Sequence, residues 1–340
     1  MRSSILDLSL SGIGLGSACL CLALAQSAYA EVESAPVVKK NIVVDKGDES
    51  NVPIAVVAMR SAERSYLTKD WNLDDLSNWN TPQFSRLQPY RQTYLLAKTT
   101  SNPNRAPVTP VSVNNTAPPF EIDAQEVKFQ FSFKTDIGNQ HNLHFAGIKT
   151  FRLWAAYTQQ SNWQAFNVRS SSPMRETIFE PEVIATLGTG HASGLKLINV
   201  GLVHQSNGLP SPVSRSWNRV YLLGGWEWND TTSVLLRGWK RIQENSSNDD
   251  NPDITDYLGS GDMVIRWEPR EQTQSVSMLL RNNLSNSDNR GYTQIDWATP
   301  IKFGNGGRWH LQATSGYGES LGDYNHHQNT FGIGISFREW

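Results

Sequence analysis

The feature that most restricts the fold is a two-residue period of apolar side chains, repeated along the chain from about residue 93 to the C-terminus. Val127, Phe129, Phe131 and Phe133 alternate with Lys128, Gln130, Ser132 and Lys134, which places the two sets on opposite faces of a β-strand. Phe151, Leu153, Ala155, Tyr157 and Gln159 share one face in the same way, as do Phe331, Ile333, Ile335 and Phe337 opposite Gly332, Gly334 and Ser336. Further strands are expected over residues 93–98, 179–187, 196–206, 215–228, 233–242, 262–267, 275–281, 292–298 and 308–314. No helical period of comparable strength interrupts them.

The connections sharpen the expectation. Residues 229–232 and 268–273 are tight, whereas 243–256, 282–290 and 318–328 are long and polar. Short turns on one side and long loops on the other are the pattern of a membrane barrel whose apolar residues are hidden in alternation. Twelve Trp residues suit aromatic girdles, and the chain ends on Trp340 directly after an alternating strand. The expected fold class is therefore all-β, a transmembrane antiparallel β-barrel of twelve strands with an N-terminal extension, multi-pass in a bacterial outer membrane.

Residues 1–30 read as a signal peptide, with Arg2, an apolar core through Leu24 and the small-residue site Ala28-Tyr29-Ala30. Both cysteines, Cys19 and Cys21, lie in this leader, so the mature chain is expected to hold no disulfide. Residues 31–92 are expected to form an N-terminal periplasmic extension, with a polar, helical stretch over 71–79, and residues 93–340 the barrel. Residues 99–119, rich in Pro, Asn, Thr and Ser, form a long loop. With 30 basic and 32 acidic residues, the chain has no nucleic-acid footprint.

Chemistry concentrates in residues 196–228. Ile198, Val200, Leu202, His204 and Ser206 share one face of a strand, and Asn218, Val220, Leu222, Gly224 and Trp226 share one face of the next. A hydroxyl, an imidazole and an amide on apolar faces require partners, and together they are the residue types of nucleophilic acyl transfer. If the first strand runs outward, so does the fifth, which sets His204 and Ser206 at its outer end facing lipid. From parity alone they also read as a polar pair near the headgroups, and residues 249–253 as a solvated loop or a weak calcium site.

The run His204-Gln205-Ser206-Asn207-Gly208, followed by Pro212 and Ser214-Arg215-Ser216-Trp217-Asn218-Arg219, resembles the signature of the bacterial outer-membrane phospholipase A family. Blocks around Tyr157–Gln164, Ser171–Pro181, Asp249–Thr255 and Ser315–Asn325 agree in order. The resemblance implies a twelve-stranded, calcium-dependent enzyme that hydrolyses acyl esters of glycerophospholipids, with A1 and A2 activity, as a homodimer. It implies Ser206 as nucleophile, His204 as base, Asn218 as the residue orienting the imidazole, and the Gly208 N–H as part of the oxyanion hole. It assigns calcium ligation to the Leu209 carbonyl, Ser214 and, from the partner subunit, the residue at position 171 (Ser171), and links Asp250 to a second calcium site. Leu209 and Ser211 stand where Arg and Asp are usual. Gln159 is implied at the dimer interface, where a lipid-facing amide gains from a partner. Two other readings stay open: a non-enzymatic, porin-like barrel and a barrel esterase acting on lipid A.

Overall fold

In a computed structural model of the chain, the described residues are 65–74, 87–112, 121–140, 143, 145–169, 174–191, 194–229, 231–302 and 306–338. The expected leader, most of the expected extension, Ser171 and Trp340 lie outside them.

All strands of the described residues join one antiparallel sheet. They are β1 (Leu87–Pro89), β2 (Thr93–Thr100), β3 (Gln125–Gln140), β4 (Thr150–Trp163), β5 (Met174–Gly188), β6 (Gly194–Ser206) and β7 (Ser216–Asn229). The series continues with β8 (Thr232–Ile242), β9 (Gly261–Trp267), β10 (Ser275–Asn282), β11 (Gly291–Pro300), β12 (Arg308–Tyr317) and β13 (His327–Arg338). Strands β2 to β13 form a closed ring of twelve, with β13 paired to β2 and the circuit completed through β3 and β4. The first strand is longer than its alternation suggests. Leu87–Pro89 pairs with Phe133–Thr135 of β3 before β2 takes up the same partner at Tyr94, so β1 and β2 are one staircase interrupted at Tyr90–Gln92.

Alternation sorts the side chains as a barrel requires. Val183, Val200, Leu202, Leu222, Ile295, Phe331 and Ile333 are exposed on the outer wall. Trp228, Trp267 and Trp309 are exposed at the end where the short turns lie, an aromatic rim on the periplasmic side. The opposite parity is buried and polar. Lys98 pairs with Glu126 at 3.1 Å, Lys128 with Glu319 at 2.9 Å and Arg175 with Asp323 at 2.9 Å. These charges are paired inside the ring, as removal from water demands.

Residues 65–74, expected in the extension, pack inside the barrel. Helix α1 (Tyr66–Trp71) is too short to hold itself together, and its order comes from tertiary contacts. The Leu67 N–H donates to Glu227 of β7 at 2.7 Å, and Lys134 of β3 reaches Asp70 at 3.4 Å. Arg152 of β4 donates to the Asp74 carbonyl at 3.3 Å, and the Arg266 guanidinium of β9 lies 3.9 Å from the centre of the Tyr66 ring. Since β3 and β9 are opposite one another in the ring, α1 spans the lumen near its periplasmic end. Leu67, Trp71 and Leu73 join Trp154, Ile184, Leu197 and Tyr221 in an internal apolar cluster.

Candidate active site

Strands β6 and β7 pair so that His204 is directly opposite Asn218 and Ser206 opposite Ser216. Their outward parity is that of Val200, Leu202, Val220 and Leu222, all exposed on the lipid wall. His204 Nδ1 lies 2.8 Å from Asn218 Oδ1. The Asn218 Nδ2 group donates to Glu244 Oε1 at 3.0 Å, which fixes the amide with its oxygen toward the imidazole. An oxygen there accepts only from a protonated Nδ1, so neutral His204 keeps Nε2 free as a base.

Ser206 lies two residues beyond His204 on the same face. Its Oγ accepts from the Gly208 N–H at 3.1 Å, and no hydrogen bond joins it to His204 among the described residues. Resting catalytic contacts are often open and tighten around substrate. Gly208 has φ +63, and a Cβ there would lie 3.1 Å from the Phe179 ring. The left-handed backbone favours glycine, and any side chain would also press on the ring.

The loop between Ser206 and Ser216 is held by Asn207, a residue the alternation gave no reason to single out. Its buried side chain accepts from the N–H groups of Arg215 at 2.9 Å and Leu209 at 3.3 Å, and donates to the Val213 carbonyl at 2.9 Å. Buried Asn251 accepts from the Ser216 N–H at 2.9 Å. Tyr324 donates to Asp253 at 2.5 Å, and burial together with that carboxylate pushes its phenol well above the ordinary range. Outer loops from distant parts of the chain thus buttress this one. Glu244 was also missed: it stands in a polar loop two residues past Ile242, and only the pairing of Ile242 with Asn218 brings it to the amide.

Of the expected metal ligands, Leu209 lies in the exposed loop beside Gly208, the expected oxyanion-hole donor, and Ser214 donates to Asp250 Oδ2 at 2.5 Å. The resemblance assigns these last two to separate calcium sites, yet here they touch. Hydroxyl, carbonyl and carboxylate oxygens with no nitrogen or sulfur suit calcium, and this donor set fits that ion. Ser171 lies outside the described residues. Gln159, on the lipid wall beside Phe131, already has partners: its Oε1 accepts from the Tyr157 hydroxyl at 3.1 Å, and its Nε2 lies 3.5 Å from Ser161 Oγ.

Fold and site together define a class: a transmembrane β-barrel that carries a His204–Asn218 pair and Ser206 on its outward wall and not in its lumen. Residues 67–337 match the family model described as Phospholipase A1. The chain is 37% identical over 246 residues to the putative phospholipase A1 of Neisseria meningitidis, covering 70% of this chain and 62% of that one. It is 32% identical over 258 residues to the phospholipase A1 of Escherichia coli, covering 74% and 82%. Among solved structures, outer membrane phospholipase A from Escherichia coli superposes with TM-score 0.63 at 30% identity, covering 78% of this chain and 95% of that one. The Salmonella typhi outer membrane phospholipase dimer with bound calcium superposes with TM-score 0.64 at 30% identity, covering 79% and 97%. The chain belongs to the phospholipase A1 family, and its barrel resides in the outer membrane.

Proposed function

We propose that this protein is a calcium-dependent phospholipase A that hydrolyses acyl ester bonds of glycerophospholipids at both positions, giving lysophospholipid and fatty acid, and that it works as a homodimer. The observation that carries the reading is the 2.8 Å contact between His204 Nδ1 and Asn218 Oδ1 on the lipid-facing wall, with Ser206 two residues away. A porin has no use for an oriented imidazole outside its lumen.

Rotation of the Ser206 side chain toward His204 releases the Gly208 N–H. His204 Nε2 takes the Ser206 proton as Oγ attacks the acyl carbonyl, and Asn218 holds the ring as it becomes imidazolium. The freed Gly208 N–H donates to the developing oxyanion. His204 then delivers its proton to the departing glycerol oxygen, and a water activated by the same imidazole cleaves the acyl-enzyme. Calcium, when bound, supplies positive charge beside the oxyanion. The Leu209 carbonyl, Ser214 and the hydroxyl at position 171 of the partner subunit would hold it, which makes a complete site a property of the dimer. Asp250, hydrogen-bonded to Ser214, brings a negative charge to this ligand set in place of a second, separate site.

The test is release of fatty acid from defined phosphatidylcholine in detergent, with and without chelator. Ser206→Ala is expected to abolish release, and Asn218→Ala to leave a measurable residue, since orienting a base contributes less than supplying the attacking oxygen. Wild-type turnover by folded Ser206→Ala would remove the assignment. Ester release from lipid A alone would favour the lipid A esterase.

A further inference from the structure

We propose that Glu244 is a positioning residue that extends the Ser206–His204–Asn218 arrangement to a fourth member and supplies the negative charge that asparagine lacks. The inference rests on the triad reading above.

The geometry runs across three neighbouring strands. His204 is on β6, Asn218 on β7, and Glu244 just past the outer end of β8. The Asn218 amide bridges the outer two, taking the imidazole on its oxygen at 2.8 Å and giving its nitrogen to the carboxylate at 3.0 Å. An amide flipped about its last torsion would set oxygen against carboxylate and nitrogen against Nδ1–H. Two like pairs would then face each other, so Glu244 fixes the orientation from the far side of Asn218.

The charge matters as much as the orientation. An asparagine stabilises the imidazolium only through its dipole. A carboxylate one hydrogen bond further out polarises the amide and adds a full charge in a region bordered by lipid, where screening is weak. Glu244 is half-buried in a loop beyond the strand end. It avoids the cost of a carboxylate on the apolar wall itself, which an aspartate at position 218 would incur.

Other charges around His204 do not replace it. On β7, Arg219 faces the lumen, 3.7 Å from Glu180 of β5. On β5, the residue paired with Ser206 is Phe179. On β8, Arg241 is paired internally with Asp249 at 2.6 Å, and outward-facing Lys240, opposite Val220, carries the wrong sign. Asp250 is engaged with Ser214.

The experiment measures pH profiles of kcat and KM for the full-length protein in detergent with phosphatidylcholine and saturating calcium. It compares wild type, Glu244→Gln, Asn218→Ala and the double variant, each checked for folding by heat-dependent gel mobility. A carboxylate favours the imidazolium, so its loss makes His204 easier to deprotonate. Glu244→Gln should therefore lower kcat about tenfold, leave KM unchanged and move the acid limb of kcat/KM down by about half to one pH unit. In the Asn218→Ala background the same substitution should do nothing further. Inactivation of Ser206 by an alkyl phosphonofluoridate, followed against pH, reads the same limb without turnover. If Glu244→Gln misfolds, Glu244→Ala serves in both assays.

Wild-type kcat and an unmoved acid limb would overturn the proposal. So would an equal loss with and without Asn218, which would mark a structural role. Should Ser206→Ala retain turnover, the triad itself is wrong. A dead Ser206→Ala and an impaired Asn218→Ala beside a neutral Glu244→Gln would remove Glu244 alone.

Discussion

Asn207→Ala tests whether the active-site loop is built by one buried side chain. The amide takes two backbone N–H groups, from Arg215 and Leu209, and gives a hydrogen bond to the Val213 carbonyl. At about 1 kcal/mol each, their loss weakens the closed loop by about 3 kcal/mol, on the order of a hundredfold in its opening equilibrium. The backbone pairing of the Asn207 N–H with the Arg215 carbonyl at 3.0 Å survives, and so does the barrel, whose ladders do not use this side chain. Because the loop carries Gly208, Leu209 and Ser214, the defect should appear as a roughly ten- to hundredfold drop in kcat/KM and a rise in the calcium needed for half activity. Thermal unfolding should barely change. Asn207→Asp adds a sign test. The new carboxylate would face the Val213 carbonyl and Glu176, whose Oε1 is 3.4 Å from the native amide nitrogen. That variant should lose more activity at neutral than at mildly acidic pH, where protonation restores a donor. Fatty-acid release titrated with calcium at two pH values reads all of this. An Asn207→Ala protein with wild-type kcat/KM and calcium response would show that the loop holds its shape without the amide.

Three other outcomes follow from the same structure. Ser211→Asp puts a carboxylate into the exposed loop near Ser214 and should lower the calcium concentration for half activity; an unshifted titration would mean that position 211 does not sense the ion. Gln159→Ala should weaken the proposed dimer about threefold in sedimentation, the size of one modest polar contact in lipid, because the amide already has Tyr157 and Ser161 as partners; full specific activity from a demonstrated monomer would refute the dimer requirement. Trp71→Ala removes a buried ring packed edge-on against Trp154 and Tyr90, with Lys134 3.8 Å from its centre. It should cost roughly 3–5 kcal/mol and raise ion conductance in planar bilayers, and unchanged conductance would mean that α1 does not obstruct the lumen.

The barrel was legible because strand parity is a local property. Val127 to Phe133, Phe151 to Gln159 and Ile198 to Ser206 each declare two faces, and a membrane barrel needs little else to specify which side meets lipid. Short segments stabilised by distant ones were not legible. Pro89 and Arg91 break the alternation ahead of β2, so the pairing of Leu87–Pro89 with β3 leaves no periodic trace. Helix α1 has fewer than two turns, and its order comes from Glu227, Arg152 and Arg266, residues far away in sequence. The interior acids and bases, such as Arg219 with Glu180 at 3.7 Å, appear in the sequence only as polar residues of the right parity. Their partners depend on ring closure, which a strand-by-strand reading does not supply.

The same division runs through the candidate site, and it explains why the site looks simpler in sequence than in space. His204, Ser206 and Asn218 sit on regular strands, where register sets one side chain opposite another. Parity alone is then enough to bring them together. The groups that complete the site sit in loops: Gly208 with its positive φ, Asn207 with its three loop contacts, Glu244 behind the amide. Loop residues carry no period, so nothing in the sequence pattern distinguishes Glu244 from Gln243 or Asn245. The distinction is energetic. A lipid-facing asparagine leaves its amide nitrogen without a partner unless the chain provides one, and an outer loop rooted at the end of β8 is within reach. A polar residue on an apolar strand face is therefore a pointer to a second residue, and the place to look for it is the loop beyond the neighbouring strand.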